Sequence, residues 1–152
     1  MAQAAMVHHS LKIQSWRLNY SFGTGKNRFC RELYSDGRHL TIRARIEQPQ
    51  NIKAKIAQIR CIPYEALIAG YKEHASASHD PRPVGEVSYR GADYSAVLFM
   101  PADALPLIVP LLTAGKYSFL SIYVAKGGAV DSYSFLDYLG PEPDLAGSWD
   151  DV

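Results

Sequence analysis

Apolar and polar positions alternate most clearly near the amino terminus. Large apolar residues there occupy every second position: Trp16, Leu18, Tyr20 and Phe22. A period of two is typical of a β-strand with one buried face, so we expect a half-buried strand. Leu11 and Ile13 stand on the opposite parity, and this phase shift before Trp16 predicts a β-bulge.

The segments 40–46 and 52–56 show the same alternation, and their polar positions carry cations. The basic residues on that parity are Arg43, Arg45, Lys53 and Lys55. In a hairpin all four would share one solvent-exposed face, where like charges oppose strand pairing. We therefore identify them as candidate ligand-binding residues. Three interpretations of this face stay open. It is an ordinary solvated face, it pairs within or between molecules with the acidic carboxyl end of this chain, or it binds a phosphate-rich ligand such as a nucleic acid.

The segment 94–139 contains the longest apolar stretches and is interpreted as scaffold. Residues 96–100 form a continuous apolar run, which is typical of a central strand. Helical spacing of apolar residues over 105–112, with Gly115 just beyond, predicts a helix, and Asp103 is a candidate cap for its first turn.

Turn chemistry divides the remaining strands. Gly127 and Gly128 supply the positive backbone dihedrals that a tight hairpin requires, so 117–125 and 130–139 are predicted to pair antiparallel. Residues 35–37, Ser-Asp-Gly, predict another turn between a strand at 28–34 and the strand at 40–46.

A second short helix is predicted at 63–71, where Pro63 suits a first turn. The segment 72–83 that follows has no periodicity and predicts an exposed loop. His74, His79 and Asp80 lie in this loop and are weak catalytic candidates for a small hydrolase. An exposed loop by itself does not hold an imidazole in the fixed orientation that general-base catalysis requires.

Composition narrows the classes of protein. At 152 residues with 47% hydrophobic content, the chain can form one domain with its own core. A net charge of +1 provides no global field for nucleic acid or an anionic membrane. The amino-terminal residues 1–9 lack the basic start and apolar core of a secretory signal, and no apolar run reaches membrane-spanning length. We expect a soluble, cytoplasmic protein.

Cys30 and Cys61 are far apart and show neither zinc nor redox spacing, so both are interpreted as small buried residues. His8 and His9 are adjacent, but nothing nearby completes a metal site, and both are expected in a loose tail. No metal and no cofactor is predicted.

The predicted organisation is a flexible tail at 1–9, one domain at 10–139 and an acidic tail at 140–152. The fold class is mainly β, or α+β: an antiparallel β-sandwich or curved sheet with two short helices. Exposed sheet edges are commonly covered by pairing between subunits, which makes a homo-oligomer plausible.

No trusted catalytic motif is present, so the leading hypothesis is a non-catalytic binding or assembly module. It would contact a protein partner or itself through sheet edges, a tyrosine-rich surface and the acidic tail, in which Trp149 is a candidate anchor residue. The alternatives are a binder of a phosphate-rich ligand or nucleic acid through the basic hairpin, and a hydrolase that uses the histidine loop.

Overall fold

A computed structural model describes residues 6–24, 34–64 and 82–137. Its elements are the strands β1 (Met6–Thr24), β2 (Tyr34–Gln48), β3 (Ile56–Pro63), β4 (Gly85–Arg90), β5 (Asp93–Met100), β6 (Phe119–Ala125) and β7 (Val130–Leu136) and the helix α1 (Leu105–Thr113). All strands belong to one sheet with the spatial order β4-β5-β3-β2-β1-β6-β7. Neighbours are antiparallel except β3 and β5, which run parallel.

The sheet curls into a half-barrel, and its two outer strands meet at one end. The Val84 and Val87 amides of the β4 side donate to the Val130 and Gly128 carbonyls of the β7 side, at 2.9 and 2.7 Å. Gly128 has a φ of 96° and its Cα lies against the Val87 carbonyl, so a side chain at this position would clash. Part of each outer edge is therefore already paired within the chain.

The core lies on one side of this sheet, which we call the inner face. Alternate residues of the central strands point to it and are fully buried, among them Leu11, Leu40, Ile42, Ile59 and Leu98. Helix α1 closes part of this face with Leu105 and Leu112. The side chains of opposite parity form the outer face.

The mainly β class and the curved sheet are confirmed, whereas a sandwich is not, because the described strands form a single sheet. Helix α1 is confirmed with Pro110 inside it and with Gly115 at a φ of 71° after it. The predicted capping by Asp103 is wrong, because the N-cap residue is Ala104 and no side chain caps the helix. The other helix, predicted at 63–71, is wrong at its start, because Pro63 belongs to β3 and Tyr64 is not helical. Residues 65–71 lie outside the described residues.

The bulge before Trp16 is confirmed: the pairing of β1 with β2 shifts between Ile13 and Ser15. The turn predicted at residues 35–37 is wrong, since β2 continues through them. Gly37 instead lies opposite Ser21, where a Cβ would meet the Ser21 hydroxyl oxygen at 2.6 Å. The glycine thus serves a close cross-strand approach and has no positive φ.

Strand β1 begins at Met6, inside the segment that was predicted as a tail. Residues 6–12 pair with β6 along their whole length, so they are part of the sheet. Residues 1–5 and 138–152 lie outside the described residues.

Candidate binding surfaces

The outer face of the three central strands carries a cluster of cations. Its members come from β1, β2 and β3 and are all exposed: Lys12, Arg17, Arg43, Arg45 and Arg60. We call them the basic face. They share one side of the sheet because Lys12 lies opposite Arg45, and Thr41 lies opposite both Arg17 and Arg60. Arg43 and Arg45, two positions apart on one strand, have the same orientation.

Pairing within the basic face is sparse. Arg45 donates from Nε and Nη2 to Glu47 Oε1 at 3.0 and 2.7 Å, and both side chains are partly solvated. The other four cations form no ion pair with any described residue. The polar side chains that separate them are Ser15, Thr41 and Gln58, which lie in the same cross-strand rows.

The predicted basic hairpin is therefore correct in part. Arg43 and Arg45 lie on the outer face of β2, as expected. Lys53 and Lys55 are exposed but precede β3, which begins at Ile56, so the strand predicted at 52–56 is wrong. The Lys55 carbonyl accepts a hydrogen bond from the Ile46 amide at 2.8 Å, which closes the loop that precedes β3.

Sequence reasoning missed Lys12, Arg17 and Arg60. The first two were within reach, because the phase shift before Trp16 places residues 12 and 17 on the same face although their spacing is odd. Arg60 depends on the position of β3 beside β2, which only the tertiary fold decides.

A second surface is formed by a two-stranded arm. Beyond Lys12, β1 has left its pairing with β6, and β3 pairs with β2 only from Leu40 onwards. From the pair Asn19–His39 to the pair Thr24–Tyr34, the described ribbon therefore has two strands and no neighbour on either edge among the described residues. A ribbon of two strands is only marginally stable alone in water.

The arm carries an apolar stripe on the side that continues the inner face. Trp16 packs partly against the core, but Leu18, Tyr20 and Phe22 are 44%, 64% and 65% exposed. The prediction of a strand with one buried face is thus wrong for the part of β1 from Leu18 to Phe22. Neither β3 nor β6 extends along the arm, and these three large apolar side chains are largely exposed.

The two neighbouring histidines point to opposite faces. His8 stacks on Tyr123 with ring centroids 4.7 Å apart, and its Nε2 lies 2.5 Å from Ser121 Oγ. A serine beside a histidine is the start of a nucleophilic site. In the described part of the chain no acidic group holds the other His8 nitrogen, so the pair lacks the third member of a catalytic triad there.

His9 is buried rather than in a tail, with 1% of its surface exposed. Its Nδ1 is 2.6 Å from the Tyr94 hydroxyl, and the rings of Tyr89 and Tyr94 stack beside it at 5.9 Å. Burial, and to a smaller degree the charge of His8, lowers the pKa of His9. Burial also raises the pKa of Tyr94, so the pair is neutral, with the hydroxyl donating to the imidazole.

The catalytic candidates His74, His79 and Asp80 and the anchor candidate Trp149 lie outside the described residues. A shallow depression of about 590 Å³ lies where the chain enters and leaves the segment 65–81, and Tyr64, Arg82 and Phe99 are among its lining residues. The described residues contain no cluster of three or more potential metal ligands.

Of the two cysteines, Cys61 belongs to the core and is fully buried. Burial raises the pKa of its thiol to about 12, so the reactive thiolate is absent at neutral pH. Cys30 lies outside the described ranges, so its position relative to Cys61 stays open.

No protein-family model matches the chain, and neither curated proteins nor solved structures show a significant similarity to it. In the ranges that the structure describes, no helix is both long and apolar enough to cross a membrane.

Proposed function

We propose that this protein is a non-catalytic binding or assembly module that contacts a protein partner or a second copy of itself through the two-stranded arm. The observation that supports the proposal most strongly is the apolar stripe Leu18, Tyr20 and Phe22, which continues the core into solvent. Contiguous exposed apolar residues of this kind mark interaction surfaces in folded proteins.

A second copy is the partner that accounts for most of the arm. Two arms packed stripe to stripe would bury the same residues twice, as an isologous interface does, and would give each ribbon a second layer, which no described element provides. The outer edges of the main sheet contribute less than expected from the sequence, because β4 and β7 already pair at one end.

The magnitude predicts weak association. Full burial of a Leu or Phe side chain is worth about 1.5–3 kcal/mol, and each stripe residue has roughly half of that left to gain. Three residues per copy then contribute about 6 kcal/mol per pair, against an association cost of about 4–15 kcal/mol. The stripe by itself therefore supports at most a weak dimer, which added backbone pairing along the arm would tighten.

Sedimentation equilibrium of the full chain over a range of concentrations tests the proposal. We expect a mass above the 16.9 kDa of one chain, and we expect the double variant Tyr20→Ser/Phe22→Ser to sediment as a monomer. Leu107→Ser is the matched control, because Leu107 is also apolar and 70% exposed but lies on α1. Far-ultraviolet circular dichroism checks that each variant is folded.

A wild-type protein that stays monomeric at the highest concentration contradicts self-association through the arm, and so does equal dissociation by Leu107→Ser. The anchor role of Trp149 is a separate prediction, for which Trp149→Ala is measured in the same way.

A further inference from the structure

The basic face concentrates positive charge that the described residues leave largely uncompensated. Neighbouring strands are about 4.8 Å apart and alternate residues on a strand about 6.8 Å apart. By this spacing Arg17 and Arg60 lie about 10 Å apart across β2, and the row of Lys12 and Arg45 lies about 13 Å further along the strands. Five cations thus occupy an area of roughly 10 by 13 Å.

Described acidic groups neutralise little of this area. Glu47 pairs with one of its cations, Arg45, at the border. Glu86 is on the outer face of β4, but Val97 separates it from Arg60 in the cross-strand row. Lys12, opposite Arg45, is a like-charge pair that opposes sheet formation, so the arrangement costs stability unless an anion occupies it.

The geometry points to a binding site for single-stranded nucleic acid on the outer face of β1, β2 and β3. Guanidinium and ammonium groups donate to phosphate oxygens, and the hydroxyl and amide groups of Ser15, Thr41 and Gln58 lie between them. Phe119 lies opposite Lys12 on the same face and is partly exposed, which places one aromatic ring beside the cations for base stacking.

The shape of the surface favours a single strand over a duplex. The basic face lies within a seven-stranded sheet, which is too broad to enter the major groove, about 12 Å wide, whereas single strands lie across open sheets with their bases on aromatic rings. The basic face is also opposite the apolar stripe of the arm. Nucleic-acid binding and self-association can therefore fail independently of each other.

Fluorescence anisotropy with a labelled oligothymidylate tests the site on the full-length protein. The four cations of the basic face that form no ion pair with a described residue are each expected to neutralise one phosphate. Single strands contribute about −0.7 per neutralised phosphate, so the expected slope of log affinity against log salt is about −2.8. Affinity should then fall about 50-fold between about 50 and about 200 mM salt. The double variant Arg43→Gln/Arg60→Gln should halve the slope and reduce the salt effect to about 7-fold.

Lys53→Gln/Lys55→Gln is the matched control, since it removes the same charge from exposed positions beside the face rather than on it. It should leave the slope close to that of the wild type. Phe119→Leu should weaken oligothymidylate binding about fivefold or more, because a stacked ring is lost, and should not change binding of inorganic polyphosphate.

Four results would overturn the proposal. One is the absence of binding at the lowest salt concentration. Another is an equal loss of affinity in the two charge variants. The other two are equal binding of a duplex and a single strand and an unchanged affinity of the Phe119→Leu protein, since either would reduce the site to unspecific attraction of polyanions. Circular dichroism spectra and urea midpoints establish that all variants retain the fold.

Discussion

Removal of one buried hydroxyl group should measurably destabilise this fold. Tyr94→Phe deletes the oxygen that lies 2.6 Å from His9 Nδ1 and keeps the ring, which is 97% buried and stacks on Tyr89. His9 cannot rotate to water, because only 1% of its own surface is exposed. The substitution therefore leaves a buried imidazole nitrogen without its partner.

The cost follows from that unsatisfied nitrogen. A buried polar group that loses its hydrogen bond costs about 1–3 kcal/mol, and the packing term is small since the ring stays. For a chain of this length each kcal/mol lowers the melting temperature by about 2–4 °C. We therefore expect the free energy of unfolding to fall by about 1–3 kcal/mol and the melting temperature by about 2–12 °C.

Urea unfolding followed by circular dichroism measures the difference, with unchanged m-values as evidence that the unfolding reaction is the same. Tyr89→Phe is the matched control. Its hydroxyl makes no hydrogen bond with a described residue, and the side chain is 49% exposed, so we expect a change within about 0.5 kcal/mol. Equal midpoints for Tyr94→Phe and Tyr89→Phe would refute the reasoning.

Three further predictions concern the same core and its closure. Gly128→Ala forces a side chain against the Val87 carbonyl at a φ of 96°. It should lower the free energy of unfolding, measured from urea midpoints, by about 1–3 kcal/mol, and an unchanged midpoint would contradict this. Because the pKa of His9 is lowered in the folded state, His9 of the unfolded chain binds a proton first as the pH falls. The stability that neutral His9 contributes is therefore fully present above about pH 6.5, and the free energy of unfolding should fall by up to about 1.4 kcal/mol per pH unit below it. A urea midpoint that does not change with pH in this range would disprove the neutral pair. In a Cys30→Ser variant, Cys61 should react with a thiol reagent only after unfolding, and fast reaction of the native protein would contradict its burial.

The local features of this fold were readable from local chemistry. Residue parity, the bulge before Trp16 and the turn at Gly127 and Gly128 each depend on a few neighbouring residues, and the structure confirms them. The proline-containing helix was found for the same reason. The turn at residues 35–37 failed because Gly37 suits both a turn and a close approach of two strands, and only the partner Ser21 distinguishes the two.

The candidate surfaces depended on relations between distant segments. Arg43 was placed correctly because its parity is local, whereas Lys53 was assigned to a strand that begins only at Ile56. Trp16 and Phe22 have the same alternation, yet one packs against the core and the other is mostly exposed. The reason is that β3, which pairs with β2 as far as Leu40, ends between the two positions.

What the sequence by itself determined is most of the β-strands, though not β3, and which side chains of those strands share a face, because alternation along an extended backbone is a local property. The tertiary structure alone decided which strands are neighbours, where they end and what covers them. It placed Arg60 beside Arg43, buried His9 against Tyr94, closed β4 onto β7 and put no other described element over the arm. These relations arise from burial and hydrogen bonding between segments far apart in the chain, and no local pattern encodes them.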